Sequence, residues 1–331
     1  MKLIIPMAGI GKRMRPHTLT VPKPLLPVAG KPMVQHLVED ICAMSKEKID
    51  EIGFVIGHFG KEVEQNLIKV AERAGAKGRI FYQEEALGTA HAVLCASEIL
   101  KGKIIVAFAD TLFRGEVKID DAQDGVIWVQ KVADPKPFGV VKLDNHNIIT
   151  DFVEKPQEFV SDLAIIGIYY FRDGEYLKKE MQHLIDNDIK EKGEYQLTNA
   201  LENMKKKGTK FTVAQVAEWL DCGNKEAMLF TNKRLLDAKP QKKTSATLEN
   251  SVVIEPCSID GSVHIKNSVV GPYVSIGRHC KIENSVLSDC IIQEDTIIVS
   301  ANLSDSMIGS HVQYHGTQAK LNLGDYNICK D

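Results

Sequence analysis

A glycine-rich turn with a basic rim follows the first apolar run of the sequence. Its residues are Pro6, Met7, Ala8, Gly9, Ile10, Gly11, Lys12, Arg13, Met14 and Arg15. Glycine lets the backbone approach a ligand closely, and successive backbone N–H groups can point at an anion. The spacing fits neither a Walker A loop nor a dinucleotide-binding fingerprint. The turn therefore predicts a phosphate site of another kind, and the alternative is a plain strand-to-helix turn.

A second segment, at residues 21–33, alternates lysines with prolines. Proline fixes the backbone angle φ and so restricts how far a neighbouring side chain can move. Lys23 stands between two prolines, Pro22 and Pro24, and Lys31 precedes another. This pattern predicts amines that are held still beside the phosphate turn.

Together the two segments resemble the N-terminal signature of sugar-1-phosphate nucleotidylyltransferases. The turn is similar to that of UDP-glucose pyrophosphorylases, and residues 22–32 are similar to the P-K-P-L-x-P-V-x-G-K-P of glucose-1-phosphate thymidylyltransferases. The resemblance implies that Arg13 and Lys23 are catalytic. It also implies nucleotide contacts at Ala8, Gly9, Gly11 and Lys12. Lys12 departs from the Thr or Ser usual in these families.

The segment from Gln83 to Ala92 opens a helix and carries an amide near a Gly-Thr-Ala-His run. An amide can pair with the edge of a pyrimidine, and glycine lets a flat base lie against the backbone. The segment resembles the Q-x-x-x-x-G-T-A-H-A of nucleotidylyltransferases. By that resemblance Gln83, Gly88 and Thr89 bind the nucleotide, and the base is uracil or thymine. His91 is expected to pack with a satisfied hydrogen bond rather than act as a base.

Two aspartates follow apolar runs further along the chain, in Phe-Ala-Asp110-Thr and Trp-Leu-Asp221-Cys-Gly. Carboxylates at the carboxyl end of an α/β sheet suit Mg²⁺, which takes oxygen ligands from one or two carboxylates and from substrate phosphates. Both positions match the family's metal aspartates, so the resemblance implies Mg²⁺ as cofactor. The alternative is that each aspartate only caps a strand end.

The sugar-phosphate half of the family is matched at four positions, Gly139, Glu154, Lys155 and Gly167. The resemblance implies that Glu154 holds ring hydroxyls and that Lys155 meets the sugar phosphate. Neighbours in a strand point to opposite faces, so a strand end or bulge must turn both side chains toward the ligand. Residues 194–200 resemble a loop that borders the sugar site.

Short apolar runs alternate with helix-period segments over the first part of the chain, which predicts βαβ units. The predicted strands are residues 3–7, 52–56, 79–82, 103–109, 126–130, 139–143, 148–154, 163–171 and 211–216. Helices are expected at 33–44, 61–74, 89–100 and 225–238, with helical periodicity at 174–206. The pattern predicts an α/β domain with a Rossmann-like mixed sheet, and the resemblance implies a GT-A-like nucleotidyltransferase domain.

The periodicity of the apolar residues changes near residue 251, where aliphatic residues begin to recur about every six positions. This hexad predicts a β-solenoid of about four coils, with slips in register near residues 267, 287 and 303. A small β-sandwich is the alternative. The predicted domains are a catalytic domain at 1–238, a linker at 239–250 and a left-handed parallel β-helix at 251–331.

The composition argues against nucleic acid and membranes as binding partners of the protein. The 331 residues carry 41 Lys and Arg against 44 Asp and Glu, a formal charge of −3, so no global positive field favours nucleic acid. No apolar run approaches the roughly 18 residues of a membrane span. Seven scattered cysteines lack metal or redox spacing, which indicates reduced thiols and a cytoplasmic location.

The resemblance implies transfer of a nucleoside monophosphate from dTTP or UTP to a sugar-1-phosphate, with glucose-1-phosphate expected first. The alternatives are an N-acetylglucosamine-1-phosphate uridylyltransferase, a bifunctional enzyme with acyltransferase activity in the β-helix, and a non-catalytic module that binds a nucleotide-sugar. The exposed end coils of the solenoid predict a homo-oligomer.

Overall fold

The computed structural model describes residues 1–9, 11–115, 122–238 and 244–316. These residues form two compact units, which are described separately. Unit 1 comprises Met1–Leu26 and the described part of Lys31–Ala227, whereas unit 2 comprises Pro27–Gly30 and the described residues from Met228 onward.

Helices and strands alternate over the first part of the chain. The strands are β1 (Lys2–Pro6), β2 (Pro27–Val28), β3 (Lys31–Pro32), β4 (Glu51–Ile56), β5 (Lys77–Tyr82), β6 (Ile104–Ala107), β7 (Thr111–Arg114), β8 (Gly125–Lys131), β9 (Gly139–Leu143), β10 (Ile149–Glu154), β11 (Leu163–Phe171), β12 (Phe211–Gln215) and β13 (Glu218–Asp221). The helices are α1 (Met33–Met44), α2 (Lys61–Arg73), α3 (Thr89–Leu94), α4 (Gly174–Asp186), α5 (Leu197–Lys206) and α6 (Lys225–Ala238).

The described residues of unit 1 build a mixed sheet of nine strands, ordered β10-β9-β11-β6-β1-β4-β5, with β8 paired to β11 and β12 to β8. Strands β6, β1, β4 and β5 run parallel, while β11 runs antiparallel to β6. The predicted mixed α/β sheet is therefore confirmed. Because β1 and β6 are parallel neighbours, their carboxyl ends meet at one edge of the sheet, which is where such sheets bind ligands.

The apolar spacing at residues 33–41 produces the expected buried face of α1. Met33, Val34, Leu37, Val38 and Ile41 are all fully buried. This face recurs at helical spacing, so the helix lies with one side against the core while its other side meets solvent.

Two predicted helical segments are interrupted in the structure. The helix expected at residues 89–100 ends at Leu94, because the chain tightens into i to i+3 turns, such as Ala96 N to Val93 O. The segment at 174–206 divides into α4 and α5, and the connection contains Asp188, Lys192 and Gly193 with positive φ. Left-handed residues end a helix because they cannot continue its right-handed turns.

The described C-terminal residues form three stacks of short parallel strands, which confirms a hexapeptide-repeat type of β-helix. Their strands are β14 (Thr247–Glu249), β15 (Val252–Val253), β16 (Ser258–Ile259), β17 (His264–Lys266), β18 (Val269–Val270), β19 (Ser275–Ile276), β20 (Lys281–Glu283), β21 (Val286–Leu287), β22 (Cys290–Ile292), β23 (Ile297–Val299), β24 (Asn302–Leu303), β25 (Ser306–Ile308) and β26 (Gln313–His315). Stacked Ile265, Ile282 and Ile298 fill one inner row and are 0–1% exposed.

The predicted register slips have a physical explanation. Partner residues lie 17 positions apart from Thr247 to His264 and from His264 to Lys281, and 16 positions apart from Lys281 to Ile297. Three hexads would need more residues, so one side of each 17-residue turn is one residue shorter than a hexad, and two sides of the 16-residue turn are. The shortened corner is made by residues with positive φ, among them Asn267, Asn284 and Ser300. Asparagine tolerates this conformation better than most residues.

The cysteines that the structure describes are free. Burial raises the pKa of Cys257, Cys280 and Cys290 to about 11, so these thiols are protonated at neutral pH and behave as small apolar groups. None of the helices described in the chain is long and apolar enough to cross a membrane.

Candidate functional site

The glycine-rich turn leaves the carboxyl end of β1 and packs on the stem of Lys23. Gly9 has open space around its Cα, and Ala8 is half-buried. Gly11 has φ +63°, and a Cβ there would lie 2.9 Å from the Lys23 Cβ. Thr18 donates a hydrogen bond from its hydroxyl to the Gly11 carbonyl at 2.9 Å. Only glycine fits this left-handed position without pushing Lys23 away.

Lys23 is a buried lysine with its ammonium directed at a carboxylate. It begins a short 3-10 turn, Lys23–Leu25, and is 8% exposed as a whole residue. Its Nζ lies 3.3 Å from Asp110 Oδ2. The backbone N–H of Leu26 donates to the Lys23 carbonyl at 3.0 Å, which closes the turn. The amine is thus held on a rigid stem, as the proline spacing predicts.

Asp110 and Asp221 lie at the same end of a two-stranded ribbon formed by β7 and β13. Asp110 precedes β7, and the antiparallel pairing of β13 with β7 sets Asp221 opposite Thr111. Protein atoms around Asp221 desolvate its carboxylate and raise its pKa, and the negative charge of Asp110 raises that pKa further. The charges of Lys23 and Arg13 act in the opposite direction. The structure therefore gathers these four side chains into one charged group.

Arg13 and Lys12 belong to a second 3-10 turn, Lys12–Met14, whose buried Met14 anchors it. Both basic side chains are exposed. The positive charge of Arg13 acts to lower the pKa of Asp221, against the effect of desolvation. Lys12 stands on the same turn, and its predicted contact with the nucleotide stays a prediction.

The two aspartates fit a divalent cation by donor chemistry. Both carboxylates keep solvent access, and Asp110 opposes ionisation of Asp221, a repulsion that a cation between them would relieve. Across the part of the chain that the structure describes, no three His, Cys, Asp or Glu side chains group as a metal site. A cation held by the pair would therefore complete its shell with water and phosphate oxygens, as Mg²⁺ commonly does.

The amide of Gln83 is fixed by two neighbours. Its Nε2 donates to the Gly88 carbonyl at 3.3 Å and lies 3.1 Å from His91 Nδ1. Burial lowers the pKa of His91, and the Glu85 carbonyl accepts a hydrogen bond from the imidazole. A neutral imidazole that donates to Glu85 can accept from Gln83 through Nδ1. His91 thus packs with satisfied hydrogen bonds, as expected.

Gly88 and Thr89 hold a loop from the second half of unit 1. Gly88 has φ +121°, and a Cβ there would lie 2.5 Å from the Tyr195 carbonyl oxygen. The Thr89 hydroxyl donates to Gln196 Oε1 at 3.1 Å and accepts from the Leu197 N–H at 2.8 Å. The structure therefore gives Thr89 a positioning task that the sequence did not indicate, and its nucleotide contact stays a prediction.

Glu154 and Lys155 lie at a strand end, where adjacent side chains can point to the same side. β10 ends at Glu154, and Lys155 follows with φ +45°. This left-handed residue turns the chain, so the Lys155 Nζ comes within 3.6 Å of Glu154 Oε1. Lys192 donates to the Lys155 carbonyl at 2.9 Å and supports the turn. Both charged groups can consequently face one ligand.

The opposite side of Glu154 is bounded by Gly139 and Thr198. Gly139 pairs with Glu154 across β9 and β10, and a Cβ at Gly139 would lie 3.0 Å from Glu154 Oε2. The Thr198 hydroxyl donates to the same oxygen at 3.3 Å. The segment at 194–200 therefore borders this carboxylate.

Gly167 lies in a bulge of β11 beside the segment that carries Asp110. It has φ +86°, and the pairing of β11 with β8 shifts register between Ile165 and Tyr169. The Gly167 carbonyl accepts from the Phe108 N–H at 2.9 Å, and the Ile166 carbonyl accepts from the Thr111 hydroxyl at 2.7 Å. The bulge is thus bonded to the segment that carries Asp110.

Sequence reasoning did not single out Thr18, Thr111, Thr198 and Lys192. Each forms a side-chain hydrogen bond with a backbone or side-chain atom of a predicted site residue or its neighbour. A lone threonine or lysine carries no local signal for such a bond, because its partner is brought near by the fold.

Comparisons with known proteins assign both parts of the chain to known families. Residues 2–238 match the family described as nucleotidyl transferase, and residues 243–316 match the GlmU-like C-terminal hexapeptide family. The nucleotidyltransferase Agl11 of low-salt glycan biosynthesis from Haloferax volcanii is 31% identical and covers 93% of this chain and 92% of its own. A glucose-1-phosphate thymidylyltransferase from Streptomyces antibioticus is 29% identical over 99% of this chain and 98% of its own.

A bifunctional GlmU from Methanococcus maripaludis is 34% identical over 82% of this chain, and the match spans 61% of GlmU. Among solved structures, a Bacillus anthracis protein described as a glucose-1-phosphate thymidylyltransferase has a TM-score of 0.62 and 25% identity, covering 73% of this chain and 98% of that one. Because the family model covers most of the chain and Agl11 is similar over nearly its whole length, the chain belongs to the sugar-1-phosphate nucleotidyltransferase family.

Proposed function

We propose that the protein transfers a nucleoside monophosphate from dTTP or UTP to glucose-1-phosphate and releases pyrophosphate. The observation that carries this proposal is the joint placement of Lys23, Asp110, Asp221 and Arg13 at the edge of the sheet where β1 and β6 end. Two anionic substrates can react there only if their charges are compensated, and this group offers both cations and metal-binding carboxylates.

The reaction needs no protein nucleophile. A sugar-phosphate oxygen attacks the α-phosphorus, a new P–O bond forms, and the bond to the bridging oxygen breaks with its electron pair leaving on pyrophosphate. A phosphate monoester has a second pKa near 6, so the attacking oxygen is already ionised at neutral pH. Catalysis then consists of alignment and charge stabilisation.

Each predicted residue has a place in this scheme. Arg13, Lys12 and the backbone of Ala8, Gly9 and Gly11 bind the triphosphate. Lys23 stabilises charge at the reacting phosphoryl group. Glu154 and Gly139 hold the sugar hydroxyls, Lys155 meets the sugar phosphate, and Gly167 borders that half. Asp110 and Asp221 would hold Mg²⁺, which when bound neutralises phosphate charge.

The orientation of Gln83 favours uracil and thymine among the bases. The Gly88 carbonyl can only accept, so the amide atom beside it is the nitrogen and Oε1 is turned the other way. An oxygen can accept the N3–H of uracil or thymine, whereas it repels the unprotonated N3 of cytosine. The neighbours of Gln83 thus support Oε1 as the atom that contacts the base in this proposal.

Replacing His91 by alanine is expected to lower the preference for UTP over CTP about five- to tenfold, because one hydrogen bond that orients the Gln83 amide is lost. The measurement is the ratio of kcat/KM for the two nucleotides. His58→Ala is the matched control, since His58 pairs with Glu84 beside Gln83 and does not touch its amide. An unchanged ratio in His91→Ala would show that the amide is oriented by Gly88 alone.

N-acetylglucosamine-1-phosphate is the second candidate acceptor, and the GlmU relatives favour it. The two sugars differ at the 2-position, where the acetamido group needs space and a hydrogen-bond partner. We propose in addition that the β-helix assembles a homo-oligomer.

The test of the reaction is pyrophosphate release with Mg²⁺ over dTTP, UTP, CTP, ATP and GTP against glucose-, N-acetylglucosamine-, galactose- and mannose-1-phosphate. We expect turnover with dTTP or UTP and with glucose-1-phosphate. Turnover confined to N-acetylglucosamine-1-phosphate would favour the second candidate. No turnover with any pair, in folded protein, would overturn the proposal in favour of a binding module.

A further inference from the structure

Residues 21–33, where Lys23 and Lys31 stand among prolines, are divided between the two units. Lys23 and its turn belong to unit 1, whereas Pro27–Gly30 belongs to unit 2. The turn of Lys23 closes at Leu26, the residue immediately before Pro27. The chain therefore passes directly from a proposed catalytic residue into a segment that is held within unit 2.

The side chain of Asn232, on α6, binds the backbone of this segment. The side chain is 1% exposed, and its Oδ1 accepts from the Ala29 N–H at 2.9 Å and from the Ser275 hydroxyl at 2.6 Å. Its Nδ2 donates to the Tyr273 carbonyl at 3.0 Å. Ser275 belongs to β19 of the β-helix. One buried amide thus ties Ala29 to the first turns of the repeat.

The segment is in a conformation that requires such support. Ala29 has φ +47° and Gly30 has φ +81°. A non-glycine residue in the left-handed region is strained, and such backbone persists only where its surroundings define it. A Cβ at Gly30 would also lie 2.2 Å from the Ser258 hydroxyl oxygen, so the repeat closes around this turn.

We propose that Asn232 is a positioning residue for Lys23, through which the β-helix unit sets the geometry of the phosphoryl-transfer site. Proline at positions 22, 24 and 27 leaves the connecting chain little freedom. A change at Ala29 is therefore transmitted along the backbone to the turn that aims the Lys23 ammonium. The kinetic part of this inference rests on the proposed function.

Replacing Asn232 by alanine tests the kinetic part. Small displacements of a catalytic group reduce rates strongly, so we expect kcat to fall about 10- to 100-fold while the KM for the nucleotide changes little. Ser285→Ala is the matched control, because Ser285 is similarly buried in the same unit and, among the described residues, its side chain bonds within the repeat. Both variants are expected to lower the melting temperature, and only Asn232→Ala to lower kcat.

Ser275→Ala gives a graded result, since the bond from Ala29 to Asn232 remains and kcat is expected to fall less than fivefold. Wild-type kcat in folded Asn232→Ala overturns the inference. An equal loss of kcat in Ser285→Ala at a similar melting temperature does so too, because the effect would then follow from general destabilisation.

Hydrogen exchange separates this inference from the proposed function. In a peptide covering residues 23–32, amide exchange is expected to accelerate in Asn232→Ala and not in Ser285→Ala. This result needs no turnover and stands even if the wild-type protein is inactive with every substrate pair. Unchanged exchange in Asn232→Ala would show that Asn232 does not anchor the segment.

Discussion

Lys23→Ala is expected to reduce kcat for pyrophosphate release by about 10²- to 10³-fold, the usual scale for the loss of one donor that stabilises transition-state charge. The ammonium is held 3.3 Å from Asp110 Oδ2 on a buried stem, so its position is defined by the fold. The loss also leaves Asp110 without its positive partner. The measurement is kcat at saturating nucleotide and sugar phosphate.

Lys31→Ala is the matched control for this variant. Lys31 lies in the same proline-rich segment, but its Nζ pairs with Glu39 at 2.6 Å, and both side chains are about 40% exposed. Surface ion pairs of this kind contribute at most about 1 kcal/mol to stability, so kcat is expected to stay within about twofold of wild type. Equal losses in the two variants would remove the special role of Lys23.

The sequence indicated the residues of the site better than the bonds that hold them. Lys23, Asp110 and Asp221 could be proposed because proline spacing, strand ends and the resemblance to family motifs are all local features. By contrast, the bond from Thr89 to Gln196 joins residues 107 positions apart, and the bond from Asn232 to Ala29 joins residues 203 positions apart. No local pattern encodes such pairs, because the fold alone brings them together.

The backbone conformation at particular residues could be predicted from the sequence only in part. Adjacent Glu154 and Lys155 required a break in the strand, and the sequence could not say how the break is made. The structure uses a left-handed Lys155, a conformation that a lysine adopts only under tertiary support, which Lys192 provides. In the β-helix the hexad was visible, whereas turns of 17 and 16 residues depend on corner residues such as Asn267 and Asn284.

Removing the charge of either aspartate is the second change for which we expect a large loss of activity. Asp110→Asn and Asp221→Asn are each expected to lower kcat/KM by at least about 10²-fold and to raise the Mg²⁺ concentration needed for half-maximal rate, since one of two proposed oxygen ligands loses its charge. Asp162→Asn is the matched control, because its side chain is 45% exposed, against 50% for Asp110, and its ion pair in the described part of the chain is with Lys131, outside the site. An unchanged Mg²⁺ dependence in both site variants would contradict the assignment of the pair as metal ligands.

Thermal unfolding distinguishes a lost ligand from a damaged fold. The pKa of Asp221 is raised in the folded protein by desolvation and by Asp110, so above that pKa the ionised carboxylate lowers the free energy of unfolding. Asparagine carries no charge at any pH and removes this cost. Asp221→Asn is therefore expected to melt at or above the wild-type temperature at neutral pH without nucleotide or metal, and to lose the advantage as the pH falls below the Asp221 pKa. A less stable Asp221→Asn at neutral pH would mean that attraction to Lys23 and Arg13 outweighs the desolvation. A more stable and less active variant would mark Asp221 as a residue kept for function at the expense of stability.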